Sequence, residues 1–550
     1  MYYIKGSKVV TLITFIMILR TIIIIIIFFV FLKRVACIET IQGTLARILR
    51  NTVGDNNEEL PINQLQYCID YTTTCPLNLL TKLIKTLRRE LMRVTKEARS
   101  GRRAAVQTLT QNLIDARNQL NNTNNQQNLE QYEDARDRLR MHQTAKAVTA
   151  SDRNFLSYAL AGERVTRYHF SLGNRTGPAR KIREIEVPGN PARTIRDQEL
   201  VHYMSQKCGE IAREDNTVGN TPIENFLGPH LTDAATKCPV HLHDHLTSEI
   251  CAEDLKKVIT EMKNESVPGP LGISNRLLKT IFPIIQDILA KAANKLLFSD
   301  TPVQRPPWLY HRKVLFVPKP GRDPKSEDSY RGLSMLENIF KAFSGVMAKR
   351  LSSVLQHIQD PEQYGFTESK SCMEPTRTVI DTIKYAVANN KSLVVLSTDL
   401  YKAFDTVSIS HIERSLDFFQ FPEKYKKTFM ALAKHGTLQF EINGNLSEDV
   451  ALNRGTGQGD PKSSGCFNLC ITPLNLYLSM SPDVPRFKAG ATEISPVYFA
   501  DDNALLLDGD NTQGIISTVN KTSQYENVSG LKLNPLAPVV DILTTLFSKF

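Results

Sequence analysis

Hydrophobic and polar residues follow a strand-like pattern in residues 496–507, and this segment carries two adjacent acids. Asp501 and Asp502 lie between two apolar runs that are rich in β-forming residues. The pattern predicts a tight hairpin with both carboxylates at its tip. Folding would hold these like charges close together, which is costly unless a cation neutralises them, and hard divalent cations prefer carboxylate oxygens. This segment alone is equally consistent with a metal-binding tip and with a solvent-exposed turn.

Further strands are predicted upstream of this hairpin. Residues 392–398 form an almost continuous apolar run, typical of a buried strand, and Asp399 follows directly. Residues 313–321 predict a strand that runs into a turn, and residues 437–452 predict a hairpin around an Asn-Gly pair. An acid at a strand end, as at Asp399, indicates a site at the rim of a sheet.

Residues 454–461 form a glycine-rich turn ahead of a helix predicted at about 464–480. Such a turn is consistent with ordinary loop geometry. It is also consistent with backbone that closely approaches a ligand, with the polar Gln458 in reach. The sequence leaves both interpretations open at this point.

A basic helical region is predicted for residues 75–160. Leucines recur at helical spacing along one face from Cys75 onward, while the other face carries lysines and arginines with few intervening acids. That face is either a solvated surface or an arm that contacts phosphates. Short apolar runs alternate with turns in residues 161–245, which are assigned as a linker.

The first 34 residues form a hydrophobic N-terminal segment. Residues 9–19 and 22–32 are almost wholly apolar, and Lys33 and Arg34 follow them. The length and the run of isoleucines suit a transmembrane helix, and membrane contact through residues 9–32 is therefore expected if the segment is genuine. The alternative is a gene-model artefact in which this segment does not belong to the protein.

Composition narrows the classes of partner. The chain has 550 residues and a formal net charge of +10, which favours a polyanionic partner, nucleic acid first and an anionic membrane second. Its nine cysteines lack paired spacing, which argues against a disulfide scaffold. Cys238, His241, His243 and His245 are close in sequence, but only Cys251 follows nearby, so a strand or loop with exposed imidazoles is preferred to a zinc site.

Asp399, Asp501 and Asp502 together form a candidate catalytic centre. Two Mg²⁺ ions held by such acids could clamp the attacking and leaving oxygens of an in-line phosphoryl transfer. Lys319 and Arg331, which lie upstream and are flanked by turns, could neutralise an incoming triphosphate.

Three motifs occur in the order Asp399-Leu-Tyr-Lys-Ala-Phe-Asp405, Arg454-Gly-Thr-Gly-Gln-Gly-Asp-Pro461 and Phe499-Ala-Asp-Asp502. They resemble the palm motifs of reverse transcriptases, in particular those of non-LTR (LINE-like) retrotransposons. Residues 317–323 and 330–334 resemble the fingers motifs of that family, and Gln363-Tyr-Gly-Phe366 resembles the block that follows them. The resemblance is dense over about 246–535 and fainter over 75–245.

This resemblance implies an α+β fold, a right-hand polymerase with fingers and an antiparallel palm sheet, preceded by a helical N-terminal region. Asp399, Asp501 and Asp502 would be the catalytic metal ligands for two Mg²⁺ ions. The nucleotide-binding residues implied by the resemblance are Lys319, Arg331, Phe404, Gln458 and Gly459. Phe404 would be the steric gate that excludes a 2′-hydroxyl, although core packing with Leu400 at helical spacing is the alternative.

The implied function is RNA-directed DNA synthesis, with an RNA template, a DNA primer and deoxynucleoside triphosphates as partners. Residues 246–550 would form the fingers and palm, and residues 161–245 a pre-fingers region. Departures from the family pattern include Lys462-Ser-Ser464 after the Asp-Pro pair and Ala537 at a frequently basic position. We expect a truncated enzyme, without an endonuclease or the primer-gripping thumb.

An inactive retrotransposon remnant that only binds nucleic acid is the alternative function. The family resemblance implies a nuclear or cytoplasmic location. A membrane location is expected instead if the N-terminal hydrophobic segment is genuine.

Overall fold

The computed structural model describes residues 75–141, 182–534 and 539–542, apart from gaps at 124, 188–193, 214–219, 265, 300–302, 320, 369, 435 and 458. The hydrophobic N-terminal segment and Gln458 lie outside these residues. Within the described ranges, no helix is both long and apolar enough to cross a membrane. The predicted membrane contact of residues 9–32 falls outside the described residues and stays a prediction.

Helices make up most of the regular structure. The helices longer than eight residues are α1 (Pro76–Asn122), α2 (126–141), α3 (Asp197–Ala212), α4 (Ile223–Ala234), α5 (Ala252–Glu261), α6 (Asn275–Leu297), α7 (Asn338–Ile358), α8 (Met373–Ala388), α9 (Ile409–Phe418), α10 (Glu423–Ala433), α11 (Ser463–Met480) and α12 (Thr512–Gln524). Shorter helices are His243–Thr247, Pro307–Tyr310, Ala403–Thr406 and Glu526–Ser529, with 3-10 turns at Val240–Leu242 and Glu327–Ser329.

Twelve strands are present in the described residues. They are β1 (Glu184–Glu186), β2 (Thr194–Arg196), β3 (His311–Pro318), β4 (Tyr330–Met335), β5 (Leu393–Thr398), β6 (Gly436–Ile442), β7 (Asn445–Leu452), β8 (Lys488–Ala489), β9 (Thr492–Glu493), β10 (Val497–Phe499), β11 (Asp502–Asp508) and β12 (Val539–Ile542). The mixture of helices and sheets confirms the α+β class.

Two four-stranded sheets dominate. One has the order β10-β11-β5-β12, and each of its three neighbouring strand pairs is antiparallel. The other has the order β4-β3-β6-β7 and contains a parallel pair, β3 with β6. The hairpin predicted around Asn443 is observed as β6 and β7, with a bulge between Gln439 and Glu441.

The chain forms two compact units. Of the described residues, one unit contains those up to Leu83 and from Ile182 onward, and the other contains those from Ile84 to residue 141. In the first, α11 is buried on almost all sides, and apolar residues predominate around its circumference, as expected for a central core helix. In the second, α1 ends at Asn122 and α2 starts at 126.

The histidine-rich segment differs from its prediction. A strand or loop was preferred, but His241 lies in a 3-10 turn, and His243 and His245 lie in the short helix that follows. In the described part of the chain, these side chains do not form a group that could hold a metal ion. The segment is too short to show helical periodicity, so its hydrophobic pattern does not indicate these helical turns.

His411 is a fully buried histidine that links α9 to α11. Its Nε2 lies 3.0 Å from the Cys470 carbonyl oxygen and 3.3 Å from the Tyr525 hydroxyl. Burial lowers the pKa of His411 to about 4, and the hydrogen bond to Cys470 only partly opposes that shift. The imidazole is therefore neutral in the folded protein at pH 7.

We expect this histidine to make folding stability sensitive to mild acid. The folded pKa lies below the ordinary value of 6.5, so its contribution is complete above pH 6.5 and is lost as the pH falls towards 4. Between pH 7 and pH 5, wild type should lose about 2 kcal/mol more unfolding free energy than His411→Asn, as measured by urea denaturation. Equal losses in the two proteins would contradict this expectation.

Candidate active site

Three aspartates share one edge of the antiparallel sheet. Asn503 in β11 pairs with Thr398 in β5, which places Asp502 opposite Asp399, directly after the end of β5. Phe499 pairs with Asp502, so Ala500 and Asp501 form the turn between β10 and β11. The structure thus brings together the acids that the sequence predicted at a sheet rim, although they are separated by about a hundred residues of chain.

The electrostatics of these acids are coupled. Burial raises the pKa of Asp501, and the nearby charge of Asp399 raises it further. Burial also raises the pKa of Asp502, with additional contributions from Asp501 and Asp399. A cation near these carboxylates would relieve both the burial and the repulsion.

The donor set fits a hard divalent cation that is completed by other ligands. In the described ranges, no group of three or more His, Cys, Asp or Glu side chains is assembled tightly enough to hold a metal by itself. Mg²⁺ is usually bound by one or two carboxylates, several waters and substrate phosphates, so a closed protein cage is not required. The carboxylates of Asp399, Asp501 and Asp502 supply suitable oxygen atoms.

Two hydrogen bonds from Asn534 hold Asp399 in place. The side-chain amide of Asn534 donates to Oδ2 of Asp399 at 2.8 Å, and the backbone N–H of Asn534 donates to the Asp399 carbonyl at 2.8 Å. Leu400 and Leu533 form a β-bridge beside these contacts. The segment around residues 532–534 therefore fixes the backbone that carries Asp399.

Phe404 lies in the short helix Ala403–Thr406, which begins four residues after Asp399. Its half-buried ring stacks on Phe467 with 5.1 Å between ring centroids, and it meets Phe366 edge-on at 5.9 Å. The backbone carbonyl of Phe404 accepts a hydrogen bond from the Thr456 N–H at 2.8 Å. The ring is therefore locked by aromatic contacts and joined to the glycine-rich turn.

The glycine-rich turn folds tightly against its surroundings. Gly459 has φ +105°, and a Cβ there would lie 2.8 Å from the Ser334 carbonyl oxygen. Gly455 has φ +85°, and a Cβ there would lie 2.8 Å from the Asp405 carbonyl oxygen. Both positions require glycine for conformational and steric reasons. Gly459 is exposed, as a ligand contact would need, whereas the predicted contact of Gln458 lies outside the described residues.

Arg331 lies on β4, and Lys319 lies just beyond the end of the neighbouring strand β3. Val317 pairs with Arg331. Burial lowers the pKa of Lys319, and the charges of Arg331, Arg322 and Lys402 act in the same direction. The charge of Arg331 also acts on Asp501, where it lowers the pKa of the carboxyl.

Lys402 and Arg322 were not predicted from the sequence as members of this basic group. Lys402 has a left-handed backbone with φ 45°, and its Nζ lies 3.5 Å from a carboxylate oxygen of Asp328. Lys319 Nζ donates to the backbone carbonyl of the same Asp328 at 2.7 Å. The sequence signal for Lys402 is its position between Asp399 and Phe404, inside a motif that carries two candidate site residues.

A buried ionic cluster lies below the glycine-rich turn. Asp460 forms an ion pair with Lys462, and its Oδ2 lies 3.7 Å from Nη2 of Arg312. All three side chains are almost fully buried. Ser344 also donates to Asp460. Burial would raise the pKa of Asp460, but Lys462 and Arg312 outweigh it and hold the pKa below its usual value.

Comparisons with known proteins relate part of this chain to one family. Residues 317–536 match the family model described as reverse transcriptase (RNA-dependent DNA polymerase). The chain is 26% identical over 294 residues to a Drosophila melanogaster protein described as the Retrovirus-related Pol polyprotein from a type-2 retrotransposable element. That match covers 54% of this chain and 26% of the relative.

Two further relatives match this chain over a similar fraction of their own length. The Transposon TX1 uncharacterized 149 kDa protein of Xenopus laevis is 24% identical over 391 residues, which are 69% of this chain and 28% of that protein. The Probable RNA-directed DNA polymerase from transposon BS of Drosophila melanogaster is 24% identical over 268 residues, with shares of 47% and 28%. The matched segments span about a quarter of the length of these relatives.

Proposed function

We propose, from the premise that this chain carries a reverse transcriptase domain of the non-LTR retrotransposon type, that it is an RNA-directed DNA polymerase. The observation that carries the proposal is the convergence of Asp399, Asp501 and Asp502 at one sheet edge, with the charge of Arg331 acting on Asp501. Its partners would be an RNA template, a DNA primer and deoxynucleoside triphosphates.

The proposed architecture assigns the two sheets to the two parts of a right-hand polymerase. The antiparallel sheet with β5, β10 and β11 would be the palm, and the sheet with β3 and β4 would be the fingers. We assign residues 246–550 to fingers and palm, residues 161–245 to a pre-fingers region and residues 75–160 to a basic helical region that precedes them.

In the proposed reaction, the primer 3′-hydroxyl loses its proton to solvent, its oxygen forms a bond to the α-phosphorus of the incoming nucleotide, and the bond from that phosphorus to the pyrophosphate breaks. Asp399, Asp501 and Asp502 would hold two Mg²⁺ ions, which supply activation of the hydroxyl and neutralisation of the leaving group. Lys319 and Arg331 would bind the triphosphate, and Lys402 lies in the same basic group. Gln458 and Gly459 would lie along the nucleotide.

The proposal is tested by primer extension on a homopolymer. Purified protein is incubated with poly(rA) annealed to oligo(dT), Mg²⁺ and labelled dTTP, with labelled dGTP as the non-complementary control. The expected result is incorporation of dTTP that requires the template and is abolished by EDTA. Binding of the template without incorporation would support the alternative, a remnant that only binds nucleic acid.

Phe404 provides a prediction about sugar selection. Replacing Phe404 by valine removes the ring that would clash with a 2′-hydroxyl, so we expect discrimination against ribonucleotides to fall by about 10- to 100-fold. The ratio of kcat/KM for dTTP and UTP measures this change. Phe418→Val is the control, because the buried ring of Phe418 packs on Phe419 rather than on Phe404. An unchanged ratio in Phe404→Val would assign the ring to core packing.

A further inference from the structure

The segment around Gln363 forms an additional edge beside the hairpin that carries Asp501 and Asp502. Gln363 and Tyr498 form a parallel β-bridge. The Tyr364 N–H donates to the Tyr498 carbonyl at 2.8 Å, and the Tyr498 N–H donates to the Glu362 carbonyl at 3.0 Å. Strand β10 is therefore supported on both sides, by β11 and by this segment.

The side chain of Gln363 hydrogen-bonds to the backbone of Ala500, the residue before the acidic pair. Its Oε1 accepts hydrogen bonds from the backbone N–H groups of Gly365 and Ala500, both at 2.9 Å. Its Nε2 donates to the Ala500 carbonyl at 3.4 Å. One amide thus contacts both backbone polar groups of Ala500, and it is only 1% exposed.

Ala500 needs such support because its backbone is strained. Its φ of 58° lies in the left-handed region, which residues with a Cβ rarely adopt unless the surroundings impose it. Asp501 follows directly, so the conformation of Ala500 sets the direction in which the two carboxylates leave the hairpin. A change of only one residue's dihedral angles here would move both acids.

The residues next to Gln363 also contact other parts of the site. A Cβ on Gly365 would lie 2.1 Å from the Ala500 nitrogen, so the two backbones are close enough that only glycine fits at position 365. Asn468 in α11 donates to the Gly365 carbonyl at 2.9 Å, and its neighbour Phe467 stacks on Phe404. Phe366 contacts Phe404 from the other end of the segment.

We propose that Gln363 is a positioning residue that sets the geometry of Asp501 and Asp502 for metal-dependent nucleotide transfer, an inference that rests on the function proposed above. A nonpolar side chain at this position leaves the buried N–H groups of Gly365 and Ala500 without their acceptor. The hairpin can then relax towards an ordinary turn and carry the acids away from Asp399.

Gln363→Leu is expected to lower kcat for dTTP incorporation by about 10- to 100-fold, because small displacements of reacting groups have effects of this size. The KM for dTTP should change less than about threefold, since Lys319 and Arg331 are untouched. Gln363→Glu keeps an acceptor for the two N–H groups but loses the donor to the Ala500 carbonyl and buries a charge, so it should recover only part of the activity. Gln439→Leu is the matched control, because Gln439 is a half-buried glutamine that contacts the Ser447 carbonyl in the mixed sheet.

A second pair of variants tests the same contact without removing a hydrogen-bonding side chain. Gly365→Ala forces a methyl group against the Ala500 backbone and should reproduce the selective loss in kcat. Gly209→Ala is its control, because a Cβ there meets only a Val450 methyl group at 3.4 Å. Circular dichroism melting establishes that each variant is folded at the assay temperature.

Binding of Mn²⁺, followed by electron paramagnetic resonance, provides a readout independent of turnover. We expect weaker Mn²⁺ binding in Gln363→Leu and Gly365→Ala than in their controls. If both variants match their controls in kcat and in Mn²⁺ affinity, the inference is overturned. If wild type extends no primer, the proposed polymerase function fails, and Mn²⁺ affinity alone then decides whether Gln363 positions the acids.

Discussion

Asp501→Asn should reduce the rate of nucleotide incorporation by at least about 10³-fold, because loss of a catalytic metal ligand removes several kcal/mol of transition-state stabilisation. Asp501 is half-buried at the tip of the hairpin, and its pKa is raised by burial and by the charge of Asp399. Removing its charge relieves that repulsion, so the folded protein should be no less stable than wild type.

Incorporation of dTTP on poly(rA)·oligo(dT) measures this effect, and fluorescence anisotropy of labelled primer–template measures binding. We expect the affinity for primer–template to remain within about twofold, because backbone phosphates supply most of that affinity. Asp510→Asn is the matched control, since Asp510 is exposed just beyond the other end of β11. Comparable losses of activity in the two variants would show that Asp501 has no special role.

Asp460→Asn should destabilise the fold by about 3–5 kcal/mol, because it leaves Lys462 and Arg312 buried without their carboxylate. Asp460 also accepts hydrogen bonds from Ser344 and from the Lys462 backbone N–H at 3.2 Å. The unfolding free energy from urea denaturation at pH 7 measures the change. Asp460 lies at the end of the glycine-rich turn, so the effect on the nucleotide site should accompany the loss of stability.

The control for this variant is Asp417→Asn. Asp417 forms an ion pair with Lys426 at 2.6 Å, but its side chain is 54% exposed. An exposed pair contributes little, so the control should lose less than about 1 kcal/mol. A similar loss in both variants would mean that the buried cluster around Asp460 contributes no more than a surface ion pair.

Local patterns in the sequence were sufficient to predict the elements that carry the acids. The apolar run before Asp399 is observed as β5, and the two runs around Asp501 are observed as β10 and β11. These predictions succeed because strand formation and turn formation depend on neighbouring residues. The order of the acids along the chain, compared with the family motifs, then indicated that they meet.

Contacts between distant residues could not be predicted in this way. Arg312 and Lys462 are buried, although long charged side chains are usually exposed, and only the tertiary structure shows that Asp460 pairs with them. Gln363 is 137 residues from Ala500, and its role depends on a positive φ at an alanine. No local pattern signals either arrangement.

The central claim is that the carboxylates at this sheet edge catalyse DNA synthesis on RNA. The most direct measurement is extension of a DNA primer on a mixed-sequence RNA template with Mg²⁺ and all four deoxynucleotides, followed by sequencing of the product. We predict a product complementary to the template from wild type and none from a variant in which Asp399, Asp501 and Asp502 are all asparagine. Absence of extension by wild type, or equal extension by both proteins, would contradict the claim.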